Sequence, residues 1–303
     1  MLNKIKSSYF LEFLFKYHLI EKTNLEIIRY NKKIQKRLNI SLQDYKDYYK
    51  IIIILIPIIK NKLTKEKNIF INIKAEERPY FHIYFNDKDE EIEKNFFLKN
   101  EGIRKIKIKI DEKIKSLENL FSDCDCLAKI DFIKFNRDDI TNLRKMFYNC
   151  EALNDLNVSK IKTDNVVNME EIFYECSSLK KLNINNFITS NVINMKSMFF
   201  GCSLLKELNL TNFDTKKVNN MYCMFYNCSS LKELNLENFD TSNVYCMYCM
   251  FYGCRLLINL NISNFNVNIV DDMLWMFSGC SNNFKNKIKK ENNLLREESF
   301  WDY

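Results

Sequence analysis

Apolar and polar positions follow two short periods along this chain, and from residue 120 onward both are nested in a longer one, a unit of 26 residues. A cysteine recurs at Cys124, Cys150, Cys176, Cys202, Cys228, Cys254 and Cys280. A phenylalanine stands three places before each, from Phe121 to Phe277, and a leucine three places after, from Leu127 to Leu257. After the cysteine the pattern is C-x-x-L-x-x-L-x-L, as in Cys228 to Leu236, where Leu234 and Leu236 alternate with Glu233 and Asn235. That period of two predicts a strand with one buried face. A further apolar slot (Phe135, Ile161, Phe187, Phe213, Phe239, Phe265) precedes a polar stretch such as Asp240-Thr241-Ser242-Asn243, which turns the chain and can cap a helix. Val244, Met247, Met250, Phe251 and Cys254 then fall at helical spacing. Each unit is therefore expected to be a short strand plus a short helix. Such a unit buries its apolar side only by stacking, so the predicted fold class is an α/β solenoid of about seven coils with parallel strands along one side. At about 4.8 Å per strand the stack is roughly 30 Å long.

The N-terminal part is patterned differently. Phe10, Leu11, Leu14 and Phe15, then Leu25, Ile27, Ile28 and Tyr30, then Ile34, Leu38 and Ile40 predict two or three short helices over residues 1–44. The apolar run Ile51 to Ile59 contains Pro57 and is flanked by Lys50 and Lys60. It is far short of the about 20 residues a membrane span needs and predicts a buried strand. Alternation at Ile69, Ile71, Ile73, at Phe81, Ile83, Phe85 and at Ile106, Ile108, Ile110 predicts three more strands. The expected organisation is a helical segment 1–44, a β-rich module 45–115 capping the first coil, repeats over 116–280, and a polar cap or tail over 281–303.

The run M-F-x-x-C-S-S-L-K-E-L-N-L-x-N-F-D-T-S-N-V from Met224 to Val244 resembles the BspA-like leucine-rich repeat family over roughly Leu120 to Cys280, more than half of the chain. The resemblance implies a leucine-rich-repeat fold and a role in protein binding or surface adhesion. Residues 1–44 resemble an F-box in outline, compact helices ahead of leucine-rich repeats, without the Leu-Pro that commonly opens that motif. That likeness implies a substrate receptor docked on a ubiquitin-ligase scaffold.

Charge changes the picture only at the N-terminus. The formal net charge is +7, yet residues 1–110 hold 24 Lys and Arg against 14 Asp and Glu, so the repeats are slightly acidic. The first twenty residues carry Lys6, Glu12, Lys16 and His18 within their apolar stretches and show no secretory signal. The expected location is the cytoplasm, with the cell surface as the alternative that the family resemblance raises.

Candidate chemistry is sparse. There is no Gly-rich phosphate loop or nucleophile motif, and both histidines, His18 and His82, precede the repeats. No enzyme and no cofactor are expected. The cysteine column is read as packing, because identical positions in stacked coils point into one core. Cys223, Cys246 and Cys249 form a separate group of thiols on the helix side, with only Asn220 and Asp272 in adjoining polar slots, too few for the four ligands of a zinc site.

The expected partner-binding site is the open strand face: Asp131, Asp155, Lys181, Glu207, Glu233 and Glu237, with Asn157, Asn183, Asn209, Asn235, Asn259 and Asn261. Its acidic character favours a basic protein partner rather than nucleic acid or a small-molecule substrate. The asparagines have two readings, recognition or a hydrogen-bonded ladder serving the coil. The row Tyr148, Tyr174, Phe200, Tyr226 and Tyr252 is a second candidate, an exposed aromatic ridge or packing between coils. A monomer is expected.

Overall fold

A computed structural model describes residues 31–38 and 41–302. The chain divides into two compact units, residues 1–50 and 51–303, so the boundary falls at Lys50/Ile51 and not at 44/45. In the first unit, helices α1 (Lys32–Leu38) and α2 (Leu42–Tyr49) follow one another. Ser41 and Asp44 form a reciprocal capping box that fixes the start of α2. The apolar groups at residues 10–15 and 25–30, on which the F-box likeness rests, lie outside the described residues.

The second unit opens with β1 (Ile51–Pro57), β2 (Lys67–Ile69), β3 (Phe81–Phe85), β4 (Phe96–Leu98) and β5 (Ile106–Ile110). The repeats contribute β6 (Leu127–Lys134), β7 (Asp155–Asn157), β8 (Glu233–Asn235) and β9 (Asn259–Asn261). A five-stranded sheet runs in the order β3-β5-β1-β6-β7. Strand β1 pairs antiparallel with both β5 and β6, so the N-terminal module and the first coil share one sheet. Ile51, Ile53 and Leu55 are fully buried, as the apolar run predicts. The alternation at 69–73 does not become a strand. Phe70 and Ile71 are buried in irregular chain, and β2 ends at Ile69, paired with β4.

In the repeats the expected helices are absent. The apolar positions Val244, Met247, Met250, Phe251 and Cys254 are all fully buried, but the chain there is a run of consecutive turns. Its N–H groups alternate in role. In the first coil those of Leu117, Asn119, Phe121 and Asp123 donate to the carbonyls of Asn142, Arg144, Met146 and Tyr148 in the next coil at 2.8–3.0 Å, while those of Leu120, Ser122 and Cys124 close turns within the coil. The pattern repeats down the stack, alongside parallel bridges from Ser116 through Asn142, Asn168, Asn194, Asn220 and Cys246 to Asp272. A helix spends its N–H groups inside itself and needs about 8–10 Å from its neighbour. Coils joined by hydrogen bonds at strand spacing, about 4.8 Å, have no room for it.

The turns require two left-handed residues per coil. One column is Asn119, Lys145, Glu171, Ser197, Cys223, Cys249 and Trp275, at φ 50–58°; the other is Asp123, Asn149, Glu175, Gly201, Asn227, Gly253 and Gly279, at φ 51–70°. Most are not glycine and carry a strain of roughly 1–2 kcal/mol each, offset by the inter-coil bonds they allow. At Gly201 an added Cβ would meet the Glu175 carboxylate, the movable end of a long side chain, so the left-handed φ of 70° is the firmer requirement there.

Side chains add further ladders. Thr163, Thr189, Thr215 and Thr241 are buried, and each donates its hydroxyl to a carbonyl of the next coil at 2.8–2.9 Å. Thr189 also accepts from Asp214 N–H at 2.8 Å, closing a reciprocal pair. The helix cap expected of this polar stretch is therefore a buried rung between coils. In the first coil Arg137 stands in the threonine column, wholly buried, and donates to the carbonyls of Asp111 and Ile114 and to Asp139.

The cysteine column is a ladder as well as packing. Cys150, Cys176, Cys202, Cys228, Cys254 and Cys280 each donate S–H to the carbonyl of the phenylalanine one coil back, at 3.0–3.3 Å. All the cysteines are free thiols. Burial pushes the column's ionisation up, to about 12 at Cys202 and Cys280.

Both ends of the stack are closed by substitutes for a missing coil. At the first coil Asn72 supplies its main-chain N–H to Leu120 O (2.8 Å) and its side-chain amide to Ser122 O (2.7 Å), the acceptors a preceding coil would use. At the last coil the N–H groups of Trp275, Phe277 and Gly279 find Glu298 O, Ser299 O and the Asp302 carboxylate. Phe300 stacks on Phe277 at 5.3 Å, continuing the phenylalanine column. Helix α3 (Asn282–Glu291), capped by Ser281, buries Phe284 and Ile288 on the way. No helix among the described residues is long and apolar enough to cross a membrane.

Two outcomes test these ladders. Thr189→Val removes the partner of both the main-chain N–H and the carbonyl of Asp214 and is expected to lower stability by about 1–3 kcal/mol, read as a drop in the denaturant midpoint, with Thr189→Ser losing less. The buried thiols of the cysteine column make stability depend on pH in one direction. Their folded ionisation lies above the unfolded value, so their contribution is whole below about pH 8.5 and declines above it, by up to about 1.4 kcal/mol per pH unit for each thiol. Denaturation midpoints measured between pH 7 and 10.5 should be level and then fall steeply, and Cys202→Ala should flatten the fall.

Candidate partner-binding face

The strand side is built from leucines pointing inward and polar residues pointing outward. It is looser than the turn side. Ladders join β6 to β7 and β8 to β9, while in the two coils between them Lys206 N–H reaches Lys180 O only at 3.5 Å. A shallow groove of about 860 Å³ lies on this side, formed by three successive coils and helix α3. Glu207, Asn209, Glu233, Asn235, Asn259 and Asn261 line it, with Leu208, Leu234 and Leu260 between them.

The remaining residues of the expected face are placed elsewhere along it. Asp155 is bound by Lys129 at 2.6 Å. Asp131 accepts from Asn157 Nδ2 at 2.8 Å, and Glu237 accepts from Asn261 Nδ2 at 3.1 Å. Lys181 and Asn183 are exposed one coil before the groove.

The expectation of an acidic strip does not survive the third dimension. Lys206, Lys232 and Lys287 line the groove together with Glu207, Glu233 and Glu291, three charges of each sign. Sequence reasoning took one outward column and missed its neighbour, although Lys180, Lys206 and Lys232 recur on the same 26-residue step. Lys287 and Glu291 come from α3, whose approach to the strand side no repeat period announces.

The asparagine column is structural at its oxygen. Oδ1 of Asn157, Asn183, Asn209, Asn235 and Asn261 accepts the main-chain N–H two residues on, at 3.1–3.2 Å, a turn closed by the side chain. A second asparagine column does the same on the turn side, at Asn142, Asn168, Asn194 and Asn220. A third, Asn186, Asn212, Asn238 and Asn264, donates to carbonyls of the coil before. The amides of Asn157 and Asn261 are engaged too, by Asp131 and Glu237, while Asn259, one coil after Glu233 in the neighbouring column, donates Nδ2 to Glu233 at 2.9 Å and accepts at Oδ1 from Lys287 at 3.0 Å.

The aromatic row is stacked, ring on ring. Tyr148, Tyr174, Phe200, Tyr226 and Tyr252 follow one another with centroids 4.4–4.6 Å apart and planes within 13° of parallel. Lys145 covers the free face of Tyr148 at 4.7 Å. The faces are consumed by packing between coils and only half-buried ring edges meet solvent, so an adhesive ridge is not what this row presents. Burial and the neighbouring Tyr148 push the Tyr174 phenol up to about 12.

The separate thiols lie on turns, not on a helix. Cys223 and Cys249 are buried and Cys246 is half-buried. Asn220 and Asp272 are already committed, each accepting a main-chain N–H two residues on. Among the described residues no His, Cys, Asp and Glu group of three or more is placed to hold a metal ion.

A solved structure, the leucine-rich repeat protein from Bacteroides ovatus ATCC 8483, is similar at 19% identity and a TM-score of 0.35, over 57% of this chain and 46% of that one. This chain thus spans under half of that protein's length. Among curated proteins none matches this sequence. The family described as "Mycoplasma protein of unknown function, DUF285" matches twice, over residues 115–234 and 203–294, which together take in the repeats and the start of the C-terminal cap. A chain in which that match covers more than half of the residues, and covers the coils themselves, belongs to the DUF285 family.

Proposed function

We propose that this protein is a non-catalytic repeat protein, a leucine-rich-repeat solenoid that binds another protein through its strand side. The observation that carries the reading is the groove on that side, where outward residues from three consecutive coils and from α3 converge on one open surface. Coils that are hydrogen-bonded to each neighbour hold those residues at a fixed spacing, which lowers the ordering cost of binding. The BspA-like repeat sequence supports the same role, protein interaction or adhesion.

The groove's balanced charge sets the kind of partner. Lysines and glutamates in adjacent columns favour a protein segment carrying both signs in register, in place of the basic partner that the glutamates alone would suggest. A polyanion such as nucleic acid would meet Glu207 and Glu233 beside every lysine it approached. Against catalysis stand the occupied thiols of the cysteine column and the lack of any histidine in the coils.

The test exchanges charges without changing their sum. In a variant combining Lys206→Glu, Glu207→Lys, Lys232→Glu and Glu233→Lys, proteins captured from the source cells by the wild-type chain should be retained at least about tenfold less, equivalent to about 1.4 kcal/mol. Reversal at the exposed Lys216 and Lys217, away from the groove, should leave capture unchanged. Equal capture by all three proteins would remove the strand side from the account.

A further inference from the structure

Most of the stacked thiols have a main-chain partner one coil away, and two thiols on the turn side are arranged otherwise. Cys223 and Cys249 occupy the same place in adjacent coils, both left-handed at φ 50° and 51° and both 3% exposed. Cys223 N–H donates to Tyr248 O at 2.9 Å, which joins the two chains as parallel neighbours. That pairing sets their Cα atoms about 4.8 Å apart, within the about 4.4–6.8 Å that a disulfide spans. Each thiol shifts the other's ionisation, raising that of Cys223 and lowering that of Cys249. The column holds Ser197 before them and Trp275 after, so the two form an isolated pair.

We propose that Cys223 and Cys249 are a reversible modification site, a dithiol pair that a hydroperoxide oxidises to a disulfide joining two consecutive coils. The cysteine column shows that stacking alone does not make such a site. There each S–H from Cys150 onward is drawn toward a phenylalanine carbonyl of the coil before, and those sulfurs are committed to the main chain. In the pair each thiol's ionisation is set first by the other.

The two sulfurs have distinct tasks. The neighbouring Cys223 thiol and Tyr248 phenol hold the Cys249 ionisation below that of an ordinary thiol, whereas Cys249 and burial push Cys223 up. Cys249 is the nucleophile and Cys223 the resolving thiol. The Cys249 thiolate attacks one peroxide oxygen, the S–O bond forms, the O–O bond breaks, and hydroxide leaves to take a proton. The Cys223 sulfur then attacks the sulfenic sulfur, the S–S bond forms, and the oxygen departs as water with the Cys223 proton. Two thiols and one hydrogen peroxide give one disulfide and two waters. A thiol reductant reverses the bond. Cys246, half-buried three residues before Cys249, is the competing thiol, and burial pushes its ionisation up.

The experiment exposes the full folded chain to hydrogen peroxide at neutral pH, blocks remaining thiols and maps linkages by peptide mass spectrometry with fragmentation. The expected product is a Cys223–Cys249 link, two hydrogens lighter than the reduced pair and removed by dithiothreitol, with Cys228 and Cys254 still alkylatable after unfolding. Cys223→Ser should stop at a sulfenic acid on Cys249, trapped as a dimedone adduct, and Cys249→Ser should abolish both the link and any adduct at Cys223. Circular dichroism confirms that each variant is folded before it is scored. Thiols at 223 and 249 that remain alkylatable after peroxide, or a link that uses Cys246 instead, would overturn the assignment.

Discussion

Everything in the second unit depends on one constraint: a polar main chain must be satisfied between coils only a strand's spacing apart. On the turn side the chain meets it by dividing its N–H groups, alternate ones closing turns and the others crossing to the next coil. That division explains the two left-handed columns, which aim successive peptide groups in different directions. It explains the absence of helices in the repeats. It also explains why the ends need Asn72 and residues 298–302, which supply the donors and acceptors that a further coil would have supplied.

The same constraint divides the labour between the two sides. The turn side is closed: its main chain is bonded coil to coil, its aromatic rings are stacked, and Glu118, Arg144 and Glu170 are linked in a row at 3.1 Å. The strand side has fewer bonds between its middle coils and leaves lysines, glutamates and asparagine amides outward around a groove. A surface built in this way offers repeated polar contacts on a fixed frame and little that could lower a reaction barrier, which is why the proposed role is recognition. The thiol pair on the turn side adds a point at which two coils can be joined covalently without touching that surface.

Much of this was legible in the residues. The 26-residue period gave the coil, and nearly every apolar column it marked is buried, from Phe121 to Phe277 and from Leu127 to Leu257. Helical spacing at Val244, Met247 and Met250 misled because a run of turns with alternate residues inside produces the same inward positions as a helix. Ladders were harder to read. Thr189 looks like any turn threonine, and only the stacked coils show that its hydroxyl reaches Asp214. Arg137 breaks the threonine column because the first coil has the carbonyls of Asp111 and Ile114 beside it where later coils have a neighbour. For the candidate face, the glutamate and asparagine columns were found by period, whereas the charge balance required Lys287 and Glu291 of α3, residues outside the repeat.

Amide hydrogen exchange resolved to single residues tests the central claim most directly. If alternating inter-coil bonds on the turn side hold the stack, the amides of Phe147, Phe173, Phe199, Phe225 and Phe251 should be among the slowest to exchange, and those of residues 181–183 and 207–209 on the strand side among the fastest in the coils. Protection that is equal on the two sides, or stronger on the strand side, would contradict it.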